Sequence, residues 1–404
     1  MVPMADLRYR TARNEADRLG QVSTPHHIAE LLAQSVNVER SRPIHVLDLG
    51  AGQGALAQAI LTKFQRSTAT LVEFDREYVA ALLRGASSRT QVLQGDVLDR
   101  QWDCTPPPSV IVSNPPYGTL IASEALQSVI KDANLAVPLN GKWVRGDAAF
   151  TARAWSIAGI GTHLGLIVAS PLIRNGTYRP MRERLIKELR NLCVTQLDPL
   201  TFRNAEVSAF LLTGERGLRR KRNVILRRAS SAGEILEEIE VAQEAALASL
   251  DIDYHLLLRR FGLHGASLTE TLGSVGTVIN RGSRSHQEFK KVGLTAFHTS
   301  DFPKDHGQVV LLGSEHSAYH VAKPGDILIP RVGSRCLTRQ VRVYRGSGLF
   351  TDCVYRLSVH ARTRSRVWNT LNSSFGEEWR LAHADGSCAK HLPVGTLLRM
   401  PLVG

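Results

Sequence analysis

The sequence predicts an α/β chain: a sheet of seven strands, parallel except for the last, covered by helices on both faces and followed by a mainly β domain. Three observations predict it. In the first half, short β-rich runs alternate with helical stretches, the signature of a parallel sheet with helical crossovers. The last two runs of that half are joined by too short a loop for a helix, so the seventh strand has to pair antiparallel. From about residue 266 the alternation stops, and β runs punctuated by turns take over. The chain has 404 residues, which at roughly 100–200 residues per domain makes two domains, or three.

Taken in order, the candidate strands are IHVLDLG (44–50), TATLVEFD (68–75), TQVLQGDV (90–97), SVIVSN (109–114), HLGLIVAS (163–170), VTQLDPL (194–200) and VSAFLLTG (207–214). A basic run comes next, RGLRRKRNVILRR (216–228), and then GEILEEIEVAQEAALASL (233–250), whose apolar spacing reads as an amphipathic helix. The expected division is therefore a first domain over 1–214, a basic and helical connection over 215–264 and a second domain over 265–404. In the second domain VGTVINRGS, QVVLLGS, KPGDILIPRVGS, LTRQVRVYRGSG and FTDCVYRLSV are β runs, and SRVWNTLNSSFGEEWRLA (365–382) is one helical stretch.

Composition narrows the partners. The chain holds 50 Lys and Arg against 37 Asp and Glu, a net charge of +13. Residues 1–213 hold 23 basic and 19 acidic residues (+4), and residues 214–404 hold 27 and 18 (+9), so the excess sits in the C-terminal half. A polyanion is the expected partner, because Lys and Arg contacts to phosphates release condensed counterions. The five cysteines, Cys104, Cys193, Cys336, Cys353 and Cys388, match no zinc spacing and, being odd and scattered, no disulfide framework. No metal is expected. No apolar run approaches the roughly 18 residues of a membrane span, and the start MVPMADLRYR lacks an apolar signal region, so the expected setting is the cytoplasm, with no membrane partner.

Two motifs carry chemistry. Asp48-Leu49-Gly50-Ala51-Gly52-Gln53-Gly54 follows the first strand and precedes a helical run. Its glycines permit a tight turn and close approach of a ligand to the backbone. The spacing is G-x-G-x-G, not the G-x-G-x-x-G of dinucleotide folds. Glu73 ends the second strand, 25 residues after Asp48, where a carboxylate can accept two ribose hydroxyls. Asp96 ends the third strand. After the fourth comes Ser113-Asn114-Pro115-Pro116-Tyr117, the N-P-P-Y sequence, which is the strongest signal in the chain.

With these motifs in this order, residues 20–214 resemble gamma-class N6-adenine DNA methyltransferases of restriction–modification systems. The resemblance implies the class I S-adenosylmethionine-dependent methyltransferase fold and S-adenosyl-L-methionine as cofactor. It implies that Gly50, Gly52 and Gly54 wrap the methionine end, and that Asp96 accepts from the cofactor's adenine amine. Thr24-Pro25 resembles the motif that lines the methionine pocket, Thr24 also being suited to cap a helix that starts at Pro25. Phe150, in GKWVRGDAAF, is placed near the cofactor adenine. Asn114 serves both the cofactor and the catalytic set.

The chemistry of the N-P-P-Y element can be argued from the substrate. The lone pair of adenine N6 is delocalised into the ring, so the amine is a poor nucleophile. The Asn114 side-chain oxygen and the Pro115 carbonyl are two acceptors for its hydrogens, and Pro115 and Pro116 fix the backbone before substrate arrives. The base has to leave the duplex to reach them. Tyr117 is expected to stack on one face of it, and Phe202, in a segment Thr201–Ala209 that resembles the family's motif VIII, on the other.

Residues 265–404 resemble the target-recognition domain shared with type I specificity subunits. Arg281, Arg284, Arg331, Arg335 and Arg339 sit in or near its loops. The resemblance implies double-stranded DNA as partner, and any restriction endonuclease is expected to be a separately encoded protein. Alternatives are a cytosine-N4 DNA or RNA adenine methyltransferase, a protein-glutamine methyltransferase, and a non-catalytic DNA-specificity module. Asn rather than Ser before Pro-Pro-Tyr favours adenine over cytosine, and the intact motifs argue against a non-catalytic module.

Overall fold

A computed structural model describes residues 22–38, 43–99, 106–202, 208–217, 223–263, 270–305, 307–313, 318–333, 335–384 and 390–403. Cys104, Cys388 and residues 203–207 of the Phe202 segment lie outside them. The chain divides into two compact units, 1–252 and 253–404.

The first unit opens with α1 (His26–Ser35), then β1 (Ile44–Leu49), α2 (Ala55–Lys63), β2 (Ser67–Glu73), α3 (Arg76–Arg84), β3 (Thr90–Gln94) and β4 (Val110–Ser113). All six residues of β1 are buried, as a strand covered on both faces requires. The small hairpin β5 (Thr119–Ile121) and β6 (Trp143–Arg145) brackets α4 (Glu124–Ala133), and α5 (Gly146–Ile157), β7 (His163–Ala169), α6 (Ser170–Arg174), α7 (Arg179–Glu188), β8 (Leu189–Gln196) and β9 (Ala209–Arg216) come after it. The seven strands run in the order β8-β9-β7-β4-β1-β2-β3, with β9 antiparallel to both neighbours. This is the class I methyltransferase sheet.

Two elements of the first unit differ from expectation. β8 spans 189–196 rather than 194–200, because Asp198 turns the chain: its side chain accepts from the Leu200 amide at 2.8 Å and its carbonyl from the Thr201 amide at 2.9 Å. Residues 233–250 are not one helix. They form β11 (Ile235–Val241), antiparallel to β10 (Val224–Ala229), and a short α8 (Gln243–Ala246). The hairpin extends the sheet to nine strands, β10 lying parallel to β8. Cross-strand pairs explain the choice: Arg227 lies opposite Glu238 with an ion pair of 2.6 Å, and Arg228 opposite Glu237 with one of 3.3 Å.

Residues 243–251 are tied into the same unit. The buried Arg182 donates to the carbonyls of Leu172, Asn175, Leu247 and Ala248, and Asp251 pairs with Arg174 at 2.7 Å. The expected connection over 215–264 is thus divided, its β hairpin and α8 belonging to the first unit.

The second unit contains α9 (Ile252–Arg260), β12 (Val278–Arg281), α10 (His286–Lys291), β13 (Ala296–Phe297), β14 (Gly307–Leu312), β15 (Val321–Ala322), β16 (Ile327–Pro330), β17 (Val341–Phe350), β18 (Val354–Ser358), α11 (Arg364–Asn372), α12 (Ser374–Ala382) and α13 (Val394–Leu398). Its sheet runs β12-β18-β16-β17-β13, with β14 and β15 also on β17. The expected helix over 365–382 is two, since the Ser373 hydroxyl accepts from the Gly376 amide and caps a new start. Trp379 and Phe375 of α12 are buried, with Tyr254 edge-on to Trp379 at 5.4 Å.

Candidate active site: a glycine-lined cleft ending at Asn114

The loop after β1 folds back on the end of β2: the amides of Gly50 and Ala51 both donate to the Val72 carbonyl, at 2.9 and 3.0 Å. Gly50, Gly52 and Gly54 have φ of 73°, 53° and 79°, the left-handed region that favours glycine. A Cβ on Gly50 would sit 3.2 Å from the Phe150 ring, whereas one on Gly52 would meet nothing within 4 Å. The loop borders a cleft of about 790 Å³ of empty space, part of it open solvent.

The cleft's polar wall is acidic. Glu73 is buried, and its Oε2 accepts from the Gly52 amide at 2.7 Å while Oε1 accepts from the Phe74 and Asp75 amides, both at 2.8 Å. Three backbone donors hold the carboxylate and leave acceptor capacity for a ligand. Burial nevertheless pushes its pKa up, these hydrogen bonds opposing. Asp48 is more extreme: burial, only partly opposed by the Ala57 amide and reinforced by Glu73, pushes its carboxyl up to about 7. Its Oδ2 accepts from the Ala57 amide at 3.2 Å, and its buried Oδ1 has no hydrogen-bond partner among the described residues.

The N-P-P-Y element closes one end of the cleft. Ser113 Oγ donates to the Leu49 carbonyl at 2.6 Å, joining the ends of β4 and β1. Asn114 Nδ2 donates to the Val22 carbonyl and to Thr24 Oγ1, both at 2.9 Å, and its Oδ1 accepts from the Tyr117 hydroxyl at 2.8 Å. Val22, Thr24, Asn114 and Pro116 all line the cleft. Pro115 is buried.

Several expected residues take other places. Thr24 does not cap α1: Pro25 stands at the N-cap, its carbonyl accepting from the Ile28 and Ala29 amides. Asp96 Oδ1 accepts from the Leu98 amide at 2.9 Å, while its neighbours Gly95 and Val97 line the cleft. Tyr117, 8% exposed, and Phe202, 4% exposed, both lie in the apolar core with Leu197 and Ala209. Burial drives the Tyr117 hydroxyl pKa well above the usual range, with Asp147 adding to it.

Helix α5 carries Gly146, Asp147 and Arg153, which motif reading missed, beside the expected Phe150. Gly146 opens it against the N-P-P-Y backbone, where a Cβ would lie 2.2 Å from the Pro116 carbonyl oxygen. Asp147 is fully buried, paired with Arg145 at 3.0 Å and accepting from the Ala169 amide at 3.0 Å. Phe150 fills the space over Gly50, and Arg153 donates to the carbonyls of Val97 and Asp99. One helix thereby braces three walls of the cleft. Phe74 and Tyr78, which also line it, were signalled only by their nearness to Glu73.

In the second unit, Arg281 and Arg331 converge on Asp352: Arg281 Nη2 meets Oδ2 at 2.7 Å, and Arg331 Nε donates to the carbonyl at 2.6 Å. The Arg284 guanidinium lies 5.2 Å from the centre of the Tyr319 ring. Arg335 is exposed, whereas Arg339 donates to the Phe302 carbonyl at 3.1 Å. Among the described residues no group of side chains is arranged to hold a metal, and no helix is long and apolar enough to cross a membrane.

The cleft fits S-adenosylmethionine. The orphaned Asp48 Oδ1 and the bare face of Gly52 offer an acceptor and room for a cationic methionine end, and Glu73 offers acceptors for ribose hydroxyls.

Residues 27–145 match the family model described as "Methyltransferase small domain". No curated protein matches the chain. Among solved structures, the type IIG restriction endonuclease BpuSI is similar over 95% of this chain and 58% of its own, at 11% identity and a TM-score of 0.50. The type I restriction-modification methyltransferase subunit from Streptococcus thermophilus is similar over 62% of this chain and 58% of its own, at 16% identity and a TM-score of 0.45. The chain thus spans 58% of the length of each. The family match over 27–145 and the strand order together show a methyltransferase domain of class I fold.

Proposed function

We propose that the protein methylates the N6 amine of adenine in double-stranded DNA, as the modification enzyme of a restriction–modification system. One observation carries the reading: Asn114 lines the cleft, its amide nitrogen donating to the Val22 carbonyl and to Thr24 Oγ1, which leaves its side-chain oxygen as the acceptor, met by the Tyr117 hydroxyl. An acceptor so placed draws the hydrogens of an exocyclic amine and frees its lone pair. When bound, S-adenosylmethionine would supply an electrophilic methyl group for the amine nitrogen, and the amine would give up one proton to solvent. The chain's part is to hold the amine with Asn114 and the Pro115 carbonyl, to keep the loop rigid through Pro115, Pro116 and Gly146, and to seat the cofactor on Gly50, Gly52, Gly54, Glu73 and Asp48.

Target choice is assigned to the second unit, whose Arg281, Arg284, Arg331 and Arg335 are suited to phosphates and base edges. The target base is flipped into the site, because its N6 is out of reach within a duplex.

The test is transfer of a labelled methyl group to plasmid DNA, followed by identification of the modified base. N6-methyladenine should appear with wild type. Asn114→Ala should lose at least about a hundredfold in rate, the size of removing one preorganised polar contact to the reacting group, with cofactor affinity within about threefold. Label in cytosine, or an Asn114→Ala variant with most of its turnover, would overturn the reading. Replacing 253–404 with the corresponding unit of a similar enzyme should move the methylated sequence with the graft.

A further inference from the structure

The side chain of Asn114 is held more tightly than its role as an acceptor requires. The Val22 carbonyl can only accept, so the amide nitrogen, not the oxygen, has to face it at 2.9 Å. That contact fixes which way the amide points. Thr24 Oγ1 takes the second amide proton at 2.9 Å, so both N–H groups are engaged. The oxygen is left on the opposite side, where the Tyr117 hydroxyl donates at 2.8 Å. Engaging both amide protons also polarises the group, shifting electron density onto Oδ1 and making it a stronger acceptor.

We propose that Val22 and Thr24 form a positioning clamp for Asn114, with the Thr24 hydroxyl acting on the catalytic amide rather than on the cofactor. The proposal rests on the methyl-transfer reading above for its catalytic meaning and on three hydrogen bonds for its geometry. A flipped amide would point two hydrogens at an amine that also carries hydrogens, so the clamp excludes the unproductive rotamer before substrate arrives. Thr24 lines the cleft, and its oxygen accepts from the Asn114 amide.

Thr24→Val keeps the shape of the side chain and removes the acceptor, and Thr24→Ser keeps the hydroxyl. The first measurement is hydrogen exchange of the Asn114 side-chain amide in the free full-length protein by NMR, the signal being identified by its loss in Asn114→Asp. Protection should fall about tenfold in Thr24→Val, the size of one hydrogen bond, and be kept in Thr24→Ser. The second is methyl transfer: kcat should fall about tenfold or more in Thr24→Val, with the cofactor dissociation constant within about threefold of wild type, and Thr24→Ser should restore kcat. If Thr24→Val does not fold, Thr24→Ala replaces it. Unchanged amide protection overturns the clamp. A loss confined to cofactor affinity, with kcat kept, assigns Thr24 to the cofactor and also overturns it. If wild type methylates no adenine in DNA, the functional reading fails on its own, and the amide exchange still decides the clamp.

Discussion

Burial raises the Asp48 carboxyl to about 7, and Glu73 adds to the shift. An unfolded Asp ionises near about 3.9. The folded state therefore binds this proton more tightly, and its contribution to stability is fully present below about pH 4 and lost as the pH rises through about 7. Asp48→Asn keeps an acceptor for the Ala57 amide and removes the titration. In thermal melts without ligand, its advantage over wild type should be larger at pH 8 than at pH 5; the reverse order would mean that Asp48 is ionised at little cost. The same variant should bind S-adenosylmethionine more weakly, because a cation loses its counter-charge. Glu73→Ala strands the Gly52, Phe74 and Asp75 amides, which lowers stability, and leaves the ribose hydroxyls without their acceptors, which should weaken cofactor binding by about 1–3 kcal/mol, the range for buried donors left unpaired. Calorimetry showing unchanged affinity would take Glu73 out of the site. These acids were legible because each ends a strand in register with a glycine turn. The orphaned Asp48 Oδ1 was not, since an unpaired atom has no sequence signature.

Helix α5 shows why part of the site was hidden. Ten of its twelve residues are buried, so GDAAFTARAWSI has no polar face to mark its role. Its effects act across long separations: Gly146 on Pro116, Phe150 on Gly50, Arg153 on the carbonyls of Val97 and Asp99. Only Phe150 was found, through family resemblance. Gly146→Ala places a methyl 2.2 Å from the Pro116 oxygen, a backbone atom that cannot move alone. Overpacking of this kind typically removes about 1–3 kcal/mol of stability. Because the displaced atom belongs to the N-P-P-Y loop, kcat should fall further than cofactor affinity. A variant with wild-type melting and turnover would show that the loop accommodates the methyl freely. The β11 strand was misread for a different reason. ILEEIEV places apolar residues at 235, 236 and 239 for a helix and at 239 and 241 for a strand, and only pairing with β10 decides between them.

At the scale of the whole molecule, the two-part plan was legible from the change in pattern near residue 266, but the border was not. It falls at 252/253, because the β10–β11 hairpin completes the first sheet and the ties from Arg182 and Arg174 hold residues 247–251 in place. A fragment of residues 1–252 should be monodisperse and bind S-adenosylmethionine as the full chain does. A fragment of 1–214 uncovers the edge of β8 and loses the buried Val224, Leu226 and Val241, so size-exclusion chromatography should find it aggregated. Equal behaviour of the two would show the hairpin to be dispensable.

The same hairpin bears on how such a gene can be recombined. Its outermost strand carries Glu237, Glu238 and Glu240, and two of these answer Arg228 and Arg227 on the strand beside it. A crossover that joins two parental genes at residue 214 would set one parent's β8 against the other's β10, with a register and a set of side chains selected elsewhere. A crossover at 252/253 inherits the sheet whole, its acidic margin included, together with an intact second unit. Lineages should therefore exchange the second unit freely and keep the first together, so that abrupt changes of ancestry gather at the 252/253 border and are scarce between 214 and 252.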